Sequence, residues 1–179
     1  MYSDAVRKWA FALAVALASL IVLVVVVGYT LPVGHRASRT VTLAATPDQV
    51  FLVITAFADY PDWRTDVERI EVSGGPGVGQ LVRESGASGD IPYRVEVLEP
   101  ASRLVMRIAD PDLAFGGSWT YTLEPTATGG TTLTLTEDGE VYNPIFRFMA
   151  RFVLGEYTTI DRYLADLSAR LEPSRPAPR

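Results

Sequence analysis

The chain has no cysteine, one histidine and one lysine among its 179 residues. Without cysteine there is no disulfide, no thiolate metal ligand and no lipidation site of the bacterial lipoprotein kind. The single histidine, His35, precedes the first expected strand, so neither a zinc set nor a Ser-His-Asp arrangement can be assembled. The acidic residues lack the loop spacing of a calcium site. The expectation is therefore no metal and no cofactor. Clusters of positive charge are missing as well. From residue 35 onward there are 14 Arg and no Lys against 20 Asp plus Glu, a net of −6, and the basic residues are scattered. That composition leaves no electrostatic footprint for nucleic acid, and an anionic membrane surface tends to repel it. The glycine-rich stretch GGPGVG at 74–79 has no lysine and no helix after it, which argues against a phosphate loop.

What the sequence does have is one long apolar run. Residues 9–29 read WAFALAVALASLIVLVVVVGY without a charge. At about 1.5 Å per residue this helix rises about 31 Å, the thickness of a hydrocarbon core. Trp9 and Tyr29 fall at its ends, where amphipathic rings prefer the headgroup level. The rival reading is a cleaved signal peptide with Arg7 and Lys8 as its charged start. The run is long for that, and no small-x-small site closes it. A fully buried core helix is the third reading, disfavoured because the run has no polar face. The expected organisation is a short N-terminal segment (1–8), a transmembrane helix (9–29), a linker (30–38), one domain (39–172) and a disordered tail (173–179). The expected location is the cytoplasmic membrane, single-pass. The basic N-terminus favours a cytoplasmic start and an extracytoplasmic domain, although Arg36 and Arg39 nearly balance Arg7 and Lys8.

After the linker, RTVTLAA at 39–45 alternates like a strand. Thr46-Pro47-Asp48-Gln49 is a capping box with proline at the first helical position, opening a helix to about Phe57. ADYPDWRT at 58–65 reads as a turn or short second helix broken by Pro61. Strands follow at 67–73, 80–86, 91–99, 103–109, 118–124 and 131–137. Tyr93, Val95 and Val97 share one face of the third of these. Leu104, Met106 and Ile108 line the next, then Trp119, Tyr121 and Leu123, then Leu133 and Leu135. Such alternation predicts an antiparallel sheet with one dry and one wet face. A single helix is expected from Asn143 to about Leu171, with an apolar stripe through Phe152, Ile160 and Leu167. Gly155, in its middle, points to a bend or a close backbone approach.

This order is α+β: one curved antiparallel sheet of about six to seven strands around a long C-terminal helix, preceded by one transmembrane helix. The segments TVTLAATPDQVFLVITAFADYPDWRTDV and YNPIFRFMARFVLGEYTTIDRYLADL resemble the SRPBCC superfamily, which includes START, Bet v 1-like and polyketide cyclase/dehydrase-like proteins. The resemblance spans residues 36–171. It implies a helix-grip fold holding an apolar ligand between sheet and helix, with Trp63 and Arg64 near the cavity mouth.

Candidate cavity residues come from the dry faces and from charges out of place on them. The faces supply Tyr93, Val95, Met106, Trp119, Tyr121, Phe152 and Ile160; Tyr157 and Tyr163 offer further hydroxyls. Arg83 shares a strand face with Leu81, Glu137 continues the Leu133–Leu135 face, and Glu156 lies on the helix stripe. Buried charges need partners or a polar ligand, so these three form either a headgroup-orienting cluster or a solvated rim. Three functions stay open. The first is a membrane-anchored binding module for a lipid or other apolar small molecule. The second is a structural or partner-binding protein with a filled interior and no identified partner. The third, ranked last, is a cyclase/dehydrase-type enzyme using Arg, Tyr or a carboxylate as acid and base. Catalysis is not required by any motif.

Overall fold

The computed structural model describes residues 2–87, 89–155 and 157–172. Glu156 and the tail 173–179 lie outside the described residues. The chain opens with helix α1 (Tyr2–Thr30), which includes the segment expected to precede it. Its stretch Val6–Thr30 is long and apolar enough to cross a membrane, and almost none of it is covered by the domain. A core helix would be covered, so that reading falls. A membrane span and a signal sequence both fit.

Strand β1 (Gly34–Leu43) starts earlier than expected, which leaves only residues 31–33 of the anticipated linker outside regular structure. The cause is the length of its partner β7 (Thr131–Val141), which offers ladder positions back to Gly34. His35 pairs with Gly139, where the missing side chain leaves room for the imidazole. Helix α2 (Pro47–Thr55) forms from the capping box: Gln49 N donates to Thr46 Oγ1 at 3.4 Å and Thr46 N to Gln49 Oε1 at 3.0 Å. Its Val50 and Ile54 are fully buried. A 3-10 helix (Phe57–Asp62) follows across Pro61.

The remaining strands are β2 (Val67–Ser73), β3 (Leu81–Gly86), β4 (Gly89–Glu99), β5 (Arg103–Ile108) and β6 (Phe115–Pro125). All seven form one antiparallel sheet in the order β1-β7-β6-β5-β4-β3-β2. The dry face carries Leu104, Met106, Tyr121, Leu133 and Leu135. On the wet face of β1 and β7, hydroxyls pair across the ladder: Thr40 with Thr134 at 3.0 Å and Ser38 with Thr136 at 2.9 Å. Two expectations about facing fail. A bulge between Val95 and Val97 shifts the register, so Leu98, opposite Leu104, packs on the core and Val97 does not. On β3 it is Val82 that is buried, while Leu81 and Arg83 are exposed.

The long C-terminal helix is broken in two. Asn143 caps α3 (Pro144–Met149), accepting from Ile145 N at 2.9 Å and Phe146 N at 3.3 Å. The chain then widens into a π turn (Ala150–Leu154) and stops at Gly155, whose φ is 80° and ψ 141°. Helix α4 (Thr158–Leu171) restarts and buries Ile160, Tyr163, Leu164 and Leu167 against the sheet. The periodicity is helical on both sides, so the pattern alone reads as continuous. The break is set by one residue that tolerates a backbone region closed to L side chains. Gly155→Ala is expected to cost about 1–3 kcal/mol through that conformation, read as a lowered midpoint in denaturant unfolding. An unchanged midpoint would mean that the break is not fixed by backbone geometry.

Candidate functional site

Between the sheet and the broken helix lies an open cavity of about 550 Å³. Small residues on the strands make the space: Gly116, Gly117 and Ser118 on β6, and Gly139 on β7. Phe146, Met149 and Ala150 wall it from the α3 side, and Thr158, Thr159 and Arg162 from α4. His35 and Glu137 also face it, with His35 Nε2 3.8 Å from Glu137 Oε1. A second pocket of about 70 Å³ lies deeper and shares Ile91, Tyr93, Trp119 and Thr159 with the first. The two are one cleft with a wide mixed mouth and a narrow inner end.

The inner end is built around Arg64. The 3-10 helix delivers it: Arg64 N donates to Tyr60 O at 2.8 Å, fixing the turn into the strand that follows. Its guanidinium is sandwiched by carboxylates. Nε and Nη2 donate to the two oxygens of Asp66 at 3.1 and 2.8 Å, and Nη1 donates to Glu84 Oε1 at 2.8 Å. The Arg64 and Glu84 side chains are only 9% and 12% exposed. The rings of Tyr60 and Tyr163 lie 5.0 and 5.2 Å from the guanidinium carbon, within cation–π range. Edge-to-face contacts continue from Tyr60 to Trp63 (5.3 Å), Trp63 to Tyr163 (5.5 Å) and Tyr163 to Tyr121 (5.5 Å).

Burial decides the proton affinities here. It opposes the charge on Arg64, but Glu84 and Asp66 outweigh it, and the guanidinium holds its proton more tightly than usual. Burial raises the Glu84 carboxyl above its ordinary value, and the pull of Arg64 only partly offsets this. Tyr93, Tyr121 and Tyr163 are all pushed up by burial. These phenols are therefore neutral hydroxyls over the whole physiological range. Three buried donors among the described residues, Tyr163 Oη, Trp63 Nε1 and Arg147 Nε, make no well-formed hydrogen bond, although the Tyr60 and Tyr121 hydroxyls lie close enough to Tyr163 Oη to act on its proton affinity. Tyr163 lines the inner pocket, where such a group costs about 1–3 kcal/mol until it is satisfied.

The expected site residues separate into groups. Arg64, Tyr93, Met106, Trp119 and Tyr121 line the inner pocket, and Tyr93 and Trp119 the outer cavity too. Glu137 lines the outer cavity. Trp63 packs between Tyr60 and Tyr163 and borders a shallow surface hollow beside Arg170. Val95 and Ile160 are buried in the core and line neither pocket. Phe152 is 59% exposed, because the π turn rotates it away from the sheet. Arg83 faces outward, so the cluster expected of Arg83, Glu137 and Glu156 does not assemble around it. Tyr157 lies outside the cleft, under the Arg39 guanidinium at 3.6 Å. Sequence reading missed Asp66, Glu84 and Thr159. For Glu84 the signal was ambiguous, since Leu81 and Val82 put an apolar residue on each face of β3. No group of three or more His, Asp or Glu among the described residues is placed to hold a metal ion.

A curved antiparallel sheet closed by a C-terminal helix, with a cleft between them, defines a helix-grip domain of the SRPBCC superfamily. The chain belongs to the family described as polyketide cyclase / dehydrase and lipid transport, whose sequence profile matches residues 34–172. Solved structures share the fold. A START superfamily protein from Mycobacterium smegmatis superposes with a TM-score of 0.62 at 17% identity, over 76% of this chain and 97% of that one. The ZhuI aromatase/cyclase from Streptomyces sp. R1128 gives 0.60 at 22%, over 77% and 92%. Truncated norcoclaurine synthase from Thalictrum flavum gives 0.65 at 14%, over 80% and 96%. At these identities the likeness is one of fold. No curated protein matches the chain.

Removing Arg64 leaves Glu84 buried without its counter-charge, a loss of about 3–5 kcal/mol for pairs of this kind. Arg64→Met is expected to unfold at markedly lower denaturant at pH 7, and Glu84→Gln to cost far less because Asp66 still holds Arg64. The pH dependence has a definite sign. In Arg64→Met the folded state binds a proton at Glu84 more tightly than the unfolded chain does. Stability should then recover as pH falls from 7 towards about 4.3, the ordinary glutamate value. Loss of stability without recovery on acidification would mean that Glu84 is not the group left unpaired.

Proposed function

We propose that the protein binds an apolar small molecule carrying a polar end group, with α1 anchoring the domain at a membrane. The observation that carries this reading is the cleft itself. A volume of about 550 Å³ lies within the range of about 300–1,000 Å³ usual for small-molecule sites. Its inner end presents a buried tyrosine hydroxyl, Tyr163 Oη, that makes no well-formed hydrogen bond although the Tyr60 and Tyr121 hydroxyls are near, beside an ion pair. An apolar body satisfies the Trp119, Ile91 and Met149 walls, and a hydroxyl, carbonyl or carboxylate at its end satisfies Tyr163. The membrane supplies molecules of that chemistry, and the domain follows α1 after only residues 31–33. The basic start at Arg7 and Lys8 favours the extracytoplasmic side for the domain.

Binding fits the site better than acid–base catalysis. Burial raises the proton affinity of the inner phenols, so they donate hydrogen bonds as neutral hydroxyls but do not exchange protons near pH 7. Arg64 keeps its proton throughout. The carboxylates that face it are engaged at 2.8 Å. The volume of the cleft also argues against a packed, purely structural interior.

Thr159 borders both pockets and points to a direct test. In native mass spectrometry, full-length protein released from detergent micelles should carry one small molecule per chain. Thr159→Trp fills the neck between the pockets and should lower the bound fraction about tenfold, equivalent to about 1.4 kcal/mol. A bare chain, or an adduct that Thr159→Trp leaves unchanged, would contradict the proposal.

A further inference from the structure

We infer that α3 and the π turn form a second membrane-contacting surface, a wall of the cleft that lies in the lipid headgroup and acyl boundary. This rests on the reading of α1 as a membrane span and adds a contact that the span alone does not require.

Three observations meet at this segment. The first is position. Helix α1 touches the rest of the protein mainly through α3. Gly28 of α1 lies so close to the backbone of Pro144 that no side chain fits there. Val24, Val25 and Val27 are half-buried, unlike most of α1. The Arg147 guanidinium donates to Leu31 O at 2.9 Å and lies 6.0 Å from the ring of Tyr29. Residues 24–28 fall within about 9 Å of the end of α1 at about 1.5 Å per residue. Docking there holds α3 at the depth of about 5–10 Å that interfacial helices occupy.

The second observation is surface chemistry. Ile145, Phe152 and Val153 are 41%, 59% and 61% exposed on a segment of a dozen residues. In water this apolar patch would be a liability. In the acyl boundary it is favourable. The third is charge. The domain is acidic, yet from residue 141 to 155 the chain carries Arg147 and Arg151 and no Asp or Glu. Between the flanking Glu140 and Glu156 the segment itself thus carries no negative charge to oppose phosphate headgroups, unlike the acidic domain as a whole.

The consequence concerns access. Phe146, Met149 and Ala150 wall the cleft, while Phe152 and Val153, a turn further on, face outward. One short segment, ended by the Gly155 break, separates the cavity from the bilayer. A ligand entering past it moves between lipid and cleft without crossing water.

The absence of cysteine makes single-site labelling clean. Full-length protein is reconstituted in phosphatidylcholine/phosphatidylglycerol vesicles, with the fluorophore NBD on Phe152→Cys, Leu13→Cys or Val78→Cys, and doxyl-labelled phosphatidylcholine as quencher. Leu13 reports on α1, and Val78 on the exposed loop between β2 and β3, at the edge of the sheet opposite β1. The expected result is blue-shifted, lipid-quenched emission at 13 and 152 and neither effect at 78. Val153→Cys repeats the measurement if Phe152→Cys does not fold. Quenching at 13 with residue 152 behaving like 78 overturns this inference and leaves the anchor standing. A blue shift at 152 without lipid quenching also overturns it, because protein, such as a second copy of the chain, then covers the patch. No quenching at 13 overturns the anchor and this inference together.

Discussion

The buried guanidinium of Arg64 is the interaction on which the site depends. It reaches from the end of the 3-10 helix to Asp66 before β2 and to Glu84 on β3, and it lies against the Tyr163 ring from α4. One side chain thus ties the first helical segment, the far edge of the sheet and the C-terminal helix together. Taking such charges out of water is expensive and is offset only by close geometry, here three hydrogen bonds of 2.8 to 3.1 Å. The arrangement makes the narrow end of the cleft polar and rigid. Burial, against the pull of Arg64, keeps the nearby phenols neutral, as donors suited to a ligand oxygen.

The rest of the cleft follows from what is missing opposite that end. Gly116, Gly117 and Gly139 give the β6–β7 floor no side chains to fill the space. The helix that would cover it stops at Gly155 and turns its N-terminal half toward α1. The broken helix therefore does two jobs. Helix α4 packs the core through Ile160, Leu164 and Leu167, and α3 with the π turn bounds the opening.

The fold was largely legible because its signals are local. The capping box at Thr46, the Pro61 break and the alternation in β5, β6 and β7 each specify an element with a few neighbouring residues. Lining positions were legible where those faces continue, as at Tyr93, Met106, Trp119 and Tyr121, where a charge interrupts one, as at Glu137, and through the family resemblance at Arg64. They were lost where facing depends on register. The bulge beyond Val95 exchanges Val97 for Leu98. Apolar residues on both faces of β3 hid Glu84 and made Arg83 look internal. The helix break was invisible to periodicity, because the apolar spacing persists across Gly155 and only its backbone angles differ. The Arg64–Glu84 pair joins residues far apart in sequence, and spacing does not encode such a meeting.

The central claim is that the polar inner end of the cleft and the apolar walls at Trp119 and Met149 receive one amphipathic molecule. A crystal structure of the full-length protein with its co-purified molecule tests it most directly. The account predicts continuous density through the cleft, with a polar atom within about 3 Å of Tyr163 Oη and an apolar body against Trp119 and Met149. A cleft holding only solvent, or a ligand whose apolar end lies against Tyr163, would contradict it.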